Sequence, residues 1–539
     1  MIKMKYHLKI PLIFFALTLF AGLIYFIGNN KSKLYADFIQ INNNEVITVN
    51  MSEFPQIPWG DDNSITVHVS ETFSTAVHGS LANINHLRNV EKADETTLLK
   101  DYICESANCI ATLKKGIRFH NGREVTAYDI EFSFLRQPLI KKFDFASSIL
   151  NDLIDIENTA NNKINYITVN GIRYPSGIIK GINVKDIYNI VFHFKRENNF
   201  FFQKASEGRI PIVPIEEFDD QYIHWKKYPV GFGKYRVISA DYKNFKFTLE
   251  RVRAVKNIPK YIMLIFSVED IGDVKMSLEG PKRGLSPYDK KIIFPNISSN
   301  MGFIFNYQSE LGSNPNFRKA LSLALDREKI ARLSLHGEMT PEDQMLPNFG
   351  WYKEYRAKIE IQKQNITEAK KFLESVPHHL WKNKKIAIPT FWANINSLDY
   401  IREVKAQLSK IGLEVEFLET DPNYTEFREN DPNAIFWSGF AFASDDPNRN
   451  FAFFYKSPIY VREYPNDRKF DELFLASTQY MSNGPLYTQK LSEYFTKNNI
   501  MVIVANTRMV VSYDTRKIAS LGLQPNGSKL LLWEIKAHD

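Results

Sequence analysis

The sequence predicts an α/β protein built as at least two lobes, and three observations carry that reading. Its 539 residues exceed what a single hydrophobic core organises. Amphipathic helical segments alternate with short apolar strand segments along the chain, the order that covers mixed sheets with helices. The composition, 44% hydrophobic and 24% charged, is that of a folded chain. No internal repeat, heptad array or low-complexity tract competes with it.

In chain order, Ser64–Ser70 alternates as a strand does. A further strand is predicted at Ile117 and Phe119, interrupted by an Asn121-Gly122 turn. Thr126, with Asp129 three residues on, then forms an N-cap pair opening a helix through Ile130, Phe134 and Leu135. Asn314-Pro315 starts a helix with proline at its first position, and Phe317, Ala320, Leu321, Ala324 and Leu325 follow the spacing of one buried face. Arg318, Lys319 and Arg327 are assigned to the solvated or capping face of that segment. Leu398, Ile401, Val404, Leu408 and Ile411 make another amphipathic helix, ended by Gly412 before Leu413, Val415 and Phe417 alternate as a strand. The same order recurs where a helical Leu486–Phe495 precedes the apolar run Ile500–Ala505.

The formal net charge is +7, but the first 33 residues carry five lysines and no acid, which leaves 63 basic against 61 acidic residues beyond them. Those charges are interspersed, so no nucleic-acid footprint is present. After the leading lysines comes an uncharged run, Ile10 to Ile27, and a polar exit at Gly28-Asn29-Asn30-Lys31. Residues 1–30 read as an export segment, either a cleaved signal or a retained inner-membrane anchor, and both leave the remaining chain outside the inner membrane. The only cysteines are Cys104 and Cys109, so lipid attachment at an N-terminal cysteine is excluded. In an oxidising compartment a local disulfide is the natural reading of the pair, with two unpaired buried thiols as the alternative.

LKKGIRFHNGREVTAYDIEFSF, from Leu113 to Phe134, resembles the strand-to-helix motif of extracellular solute-binding protein family 5. Three segments follow in that family's order: YPVGFGKYRV (Tyr228–Val237), NPNFRKALSLALDREKI (Asn314–Ile330) and FDELFLAS (Phe470–Ser477). The resemblance implies a large type II periplasmic binding protein with mixed sheets, three subdomains and a hinge. It implies a first lobe over 45–261, completed by 507–539, and a second over 262–506, with crossings near 262–267 and 498–506. The function implied is that of the substrate-binding component of an ABC importer. Such a component captures peptides between the lobes and delivers them to a membrane permease driven by an ATPase, as a periplasmic monomer.

By the same resemblance FWSGFAFASDDPN, Phe436 to Asn448, lies along the ligand, with Tyr424 upstream. Gly439 keeps the family's glycine and Phe440 stands for its tryptophan, while the aspartate that would pair a peptide's amino group falls on Ala443, leaving Asp445 as a candidate replacement. Glu71, Thr72 and Phe73 lie where the family's first strand contributes backbone contacts. Exposed backbone can take a peptide as an added strand, and aromatics such as Tyr424, Trp437 and Phe440 offer rigid apolar walls. Each of these aromatics has packing as its competing role, since the chain holds 26 tyrosines, 40 phenylalanines and seven tryptophans.

No GxSxG, HExxH, SxxK or Walker loop occurs, and His120 within the motif reads as structural, so no enzyme is expected. No cofactor or metal is implied by a histidine or cysteine constellation. The alternatives on this fold are an anchored periplasmic sensor or chaperone-type module, and a nickel or haem binder.

Overall fold

The computed structural model describes residues 46–51, 67–82, 97–139, 150, 153–156, 164–198, 201–205, 210–241, 244, 246–267, 271–277, 286–390, 392, 395–420, 433–442, 447–455, 467–479, 485–522, 524 and 530–538. The chain divides into Met1–Val46 and Ile47–Asp539, and the elements below belong to the second unit apart from the first residue of β1. The apolar run Ile10–Ile27 lies outside the described residues. Among the described residues, no helix is long and apolar enough to cross a membrane.

The chain enters through β1 (Val46–Asn50) and the helix Val67–Val77. That helix corrects the strand expected at Ser64–Ser70 over its residues 67–70, and residues 64–66 lie outside the described residues. Phe73, Ala76 and Val77 recur at helical spacing and are buried in one core, and this longer period overrides the short alternation before it. A hairpin follows, β2 (Leu99–Glu105) and β3 (Asn108–Leu113). The segment after it is a short hairpin about the Asn121-Gly122 turn: Phe119 N–H donates to Arg123 O and Val125 N–H to Ile117 O, each at 2.8 Å, Arg118 bridges Glu124 antiparallel, and Gly122 takes a φ of +92°, the left-handed backbone that favours glycine. The helix Ala127–Leu139 opens as its sequence predicts, the Asp129 carboxylate accepting from the Thr126 N–H at 2.8 Å and its hydroxyl at 3.0 Å. Next come a second hairpin, β4 (Asn165–Val169) with β5 (Ile172–Ser176), then β6 (Ile182–Asp186) and β7 (Asn189–His193). The order β2-β3-β7-β6 makes a four-stranded sheet. Its core, with Phe134, Phe192, Phe201 and Phe202, spans residues 81–232.

The large sheet is assembled from β1 and later strands: β8 (Tyr235–Asp241), β9 (Lys246–Arg251), β10 (Tyr261–Ile265), β11 (Val274–Ser277), β12 (Asp289–Phe305), β13 (Met339–Pro341), β16 (Ile435–Ser438) and β17 (Val502–Asp514). Its order is β16-β12-β17-β11-β1-β10-β9-β8, with β13 attached to β17. The sheet is mixed, β1 and β11 running parallel and the β12–β17 pair antiparallel. Strands β14 (Lys385–Thr390) and β15 (Glu414–Glu419) form a separate parallel pair.

β12 and β17 serve two cores. Phe294 and Met509–Tyr513 pack with Ile262, Leu264 and Phe266 in one, while Ile297–Phe305 and Met501–Ala505 pack in the other with the helices Pro315–Ala324 and Asp399–Ser409. Ile262, Leu264 and Phe266, beside one of the crossings expected from the sequence, pack in the first of these cores. The ladder between β12 and β17 is irregular, with register shifts at Ile293/Ile297, Ile297/Ser299 and Met301/Gly302.

The helix Pro315–Ala324 is capped by Asn314, whose side chain accepts from the Asn316 and Phe317 N–H groups. Arg318 and Arg327 correct the expectation of a solvated face, because both are buried and hold backbone carbonyls across the core. Arg318 Nε donates to Asn499 O at 3.1 Å, and Arg327 Nε to Ile503 O at 2.8 Å. A guanidinium can be buried where enough carbonyls surround it.

Candidate functional site

The expected ligand segment begins in β16, whose residues 435–438 pair with Phe305–Gly302 of β12. The pairing continues past the strand. Phe440 N–H donates to Asn300 Oδ1 at 2.9 Å, Asn300 N–H to Phe440 O at 3.1 Å, and Phe442 N–H to Ser298 O at 2.8 Å. Gly439 is required by this approach, since a Cβ there would sit 1.7 Å from Asn300 O. The need is therefore internal to the sheet.

Trp437 is fully buried, its ring edge-on to Phe303 at 5.0 Å, Phe417 at 5.6 Å and Trp392 at 6.4 Å. Phe440 stacks on Phe453 at 4.9 Å and meets Phe454 edge-on. Both rings are core contacts in this conformation and present no open wall. Tyr424, Ala443 and Asp445 lie outside the described residues. The structure therefore fixes the base from which their segments leave.

Glu71, Thr72 and Phe73 fall in the helix Val67–Val77 and not in a strand, so they have no strand edge to offer a peptide. Thr72 Oγ1 accepts the Leu530 N–H at 3.1 Å, and Phe73 lies edge-on between Phe247 and His78. These two side chains belong to the core, far in sequence from β16.

Two of the motif segments do meet. His120 N–H donates to Gly231 O at 2.8 Å, the Gly231 N–H returns to His120 Nδ1 at 3.4 Å, and Nε2 lies 2.9 Å from Gly233 O. With Nδ1 accepting, Nε2 carries the proton. Burial lowers the His120 pKa to about 4, against the pull of the Gly233 carbonyl, so the ring is neutral at ordinary pH. Gly231 and Gly233 in turn press on the last turn of the helix Val67–Val77, where a Cβ would meet Val77 O or Ala76 O at 2.2 Å. The conjunction of FHNG with the glycine turn builds a joint.

Arg123 and Asp129 from the same motif form a paired fork, Nη1 to Oδ2 at 2.9 Å and Nη2 to Oδ1 at 2.7 Å. Arg123 grips Glu216 as well, at 2.6 and 2.9 Å, and Tyr174 Oη donates to Asp129 at 3.0 Å. Burial opposes the charge on Arg123, but its bonds to Asp129 and Glu216 raise its pKa. Sequence reasoning missed Glu216, Tyr174 and Asn300, because each is joined to its partner only by the fold. Cys104 and Cys109 stand opposite each other in the β2–β3 hairpin, their Cα atoms 4.1 Å apart, and are joined by a disulfide.

Shared long strands joining separate α/β cores define a class: the type II periplasmic binding protein fold. The profile of Bacterial extracellular solute-binding proteins, family 5 Middle, matches residues 106–268 and 270–460, and the chain belongs to that family. It is 24% identical over 343 residues to the oligopeptide-binding protein AppA of Bacillus subtilis (strain 168), a match covering 56% of this chain and 56% of that protein's length. Among solved structures it resembles the murein tripeptide binding protein MppA of Escherichia coli, with a TM-score of 0.72 at 12% identity, covering 92% of this chain and 99% of that one. OppA of Haemophilus influenzae in complex with RPPGFSPFR gives 0.70 at 16%, covering 92% and 100%. NikA of Staphylococcus aureus in complex with Ni(L-His)2 gives 0.68 at 14%, with the same coverage.

Proposed function

We propose that this chain is the ligand-capturing subunit of an ABC importer for peptides, working outside the inner membrane and handing its ligand to a permease. Membership of the solute-binding family carries the reading, and the likeness to the oligopeptide-binding AppA favours peptides within it. The division into lobes at β12 and β17 fits a hinge, because two paired strands with irregular register can bend without breaking either core. In this reading Tyr424 and Asp445 contact the ligand from segments held by β16. Trp437, Gly439 and Phe440 keep that base rigid, and Glu71 is a further contact at the first lobe. The segment 1–30 directs export, whether cleaved or retained.

A second reading takes a nickel complex as ligand, favoured by the likeness to NikA. Thermal unfolding of the full-length chain with pooled di- to hexapeptides, nickel with L-histidine, and haem separates the two. A ligand at about 100 times its dissociation constant adds roughly 2.7 kcal/mol to the folded state. A rise with peptides alone supports the importer of peptides, and a rise with nickel and histidine alone replaces it. No shift with any of them overturns both.

A further inference from the structure

The second core holds a cavity of about 400 Å³ between the helix Pro315–Ala324, residues 359–363, the end of the helix Leu486–Lys497 and the first residues of β17. None of its lining residues belongs to the Gly439–Asn450 segment. Gln362 organises one wall, its N–H donating to Asp343 Oδ2 at 2.7 Å, its Oε1 accepting from Lys319 Nζ at 3.1 Å and its carbonyl from Arg327 at 3.3 Å. Arg327 uses its remaining bonds on Ser322 and Ile503, so it contributes charge and a fixed frame.

Asp343 is 6% exposed, and its second oxygen, Oδ1, has no hydrogen-bond partner; Thr496 Oγ1, also on the lining, is buried and without one. A buried carboxylate oxygen left unpaired is costly, more so when charged, so its retention calls for a donor. Lys319 stands beside it with protons to spare after Gln362, and Lys363 adds a second ammonium at the exposed rim. Burial and Arg327 both lower the Lys319 pKa, and Asp343 opposes them. A simple anion would meet Asp343 and Glu360, and a simple cation would meet Lys319, Arg327, Lys363 and Lys497. The volume is near the lower end for small-ligand pockets.

We propose that this cavity binds a small α-amino acid as its zwitterion, the carboxylate against Lys319 and Lys363 and the ammonium drawn to the Asp343 carboxylate. The lining includes none of the residues expected at a peptide site, and it lies against the first residues of β17. The test is calorimetric titration of the full-length chain with L-alanine, with propionate and ethylamine as probes of each charge alone. L-Alanine binds and neither control does. Asp343→Asn, which puts a donor where the ammonium needs an acceptor, weakens binding about tenfold or more. Lys363→Ala, on an exposed side chain that leaves the core intact, weakens it about threefold or more and keeps the test sound should Asp343→Asn fail to fold. No heat with L-alanine up to about 10 mM, where even a millimolar site fills, overturns the proposal. Equal binding of propionate, or unchanged affinity in Lys363→Ala together with folded Asp343→Asn, overturns it too, and would place any bound amino acid elsewhere.

Discussion

His120 and Gly233 are joined by a hydrogen bond of 2.9 Å from the imidazole to the backbone carbonyl, which docks the FHNG turn on the glycine turn far along the chain. The ring is neutral in the folded state, its pKa lowered from 6.5 to about 4 chiefly by burial. The unfolded chain therefore binds the proton more readily, and stability rises with pH through this window. The contribution is complete above about pH 6.5 and is lost as pH falls toward 4, at most about 3 kcal/mol. Denaturant unfolding across that range should show the slope, and His120→Gln should flatten it. An identical slope in the variant would assign the pH dependence to other groups.

Gly439→Ala should lower stability by about 3 kcal/mol with no ligand present, because the new methyl group collides with Asn300 O. Chemical denaturation of the variant measures this. A protein of unchanged stability that has lost its ligand would return Gly439 to the binding surface.

Trp437→Ala and Phe440→Ala should each cost about 3–5 kcal/mol of stability, since both remove large buried rings. Phe440 is thus a poor reporter of ligand contact. Tyr424→Ala is the cleaner probe. It should weaken peptide binding about tenfold with a midpoint like that of the parent, and unchanged affinity would remove Tyr424 from the site.

Asp129→Asn should destabilise by about 3 kcal/mol, because it strips the buried carboxylate from a half-buried arginine and leaves Glu216 as its remaining anion. A double-mutant cycle with Arg123→Met should show strong coupling. Additive effects would contradict a joint network.

Reducing the Cys104–Cys109 disulfide should cost about 2 kcal/mol, the small value of a short closed loop. Matched melts with and without reductant test this, and peptide affinity should stay the same.

Short-range signals were legible in the sequence. Asn314 with Pro315, Thr126 with Asp129, and Gly412 at its φ of +86° act within a turn of the chain, and each does what its residue type dictates. Features decided at long range were not legible. Ser64–Ser70 alternated over too few residues to outweigh the contact of Phe73 with Phe247, and Trp437 and Phe440 were aromatic beside a glycine whether they faced ligand or core. Arg327 looked like a surface charge until the Ile503 carbonyl came to meet it. The family segments gave the architecture because they encode turns and caps. The ligand contacts depend on loops whose geometry no local pattern sets.

β17 sits in the middle of the large sheet, between β12 and β11, yet it is made almost last, at Val502–Asp514. During synthesis both cores that share this sheet wait for their central strand, while the core of residues 81–232 can consolidate earlier. A truncation before residue 502 would thus abolish both halves of the sheet together. A chain whose large sheet closes only with β17 keeps both of those cores incomplete until nearly its whole length has been made.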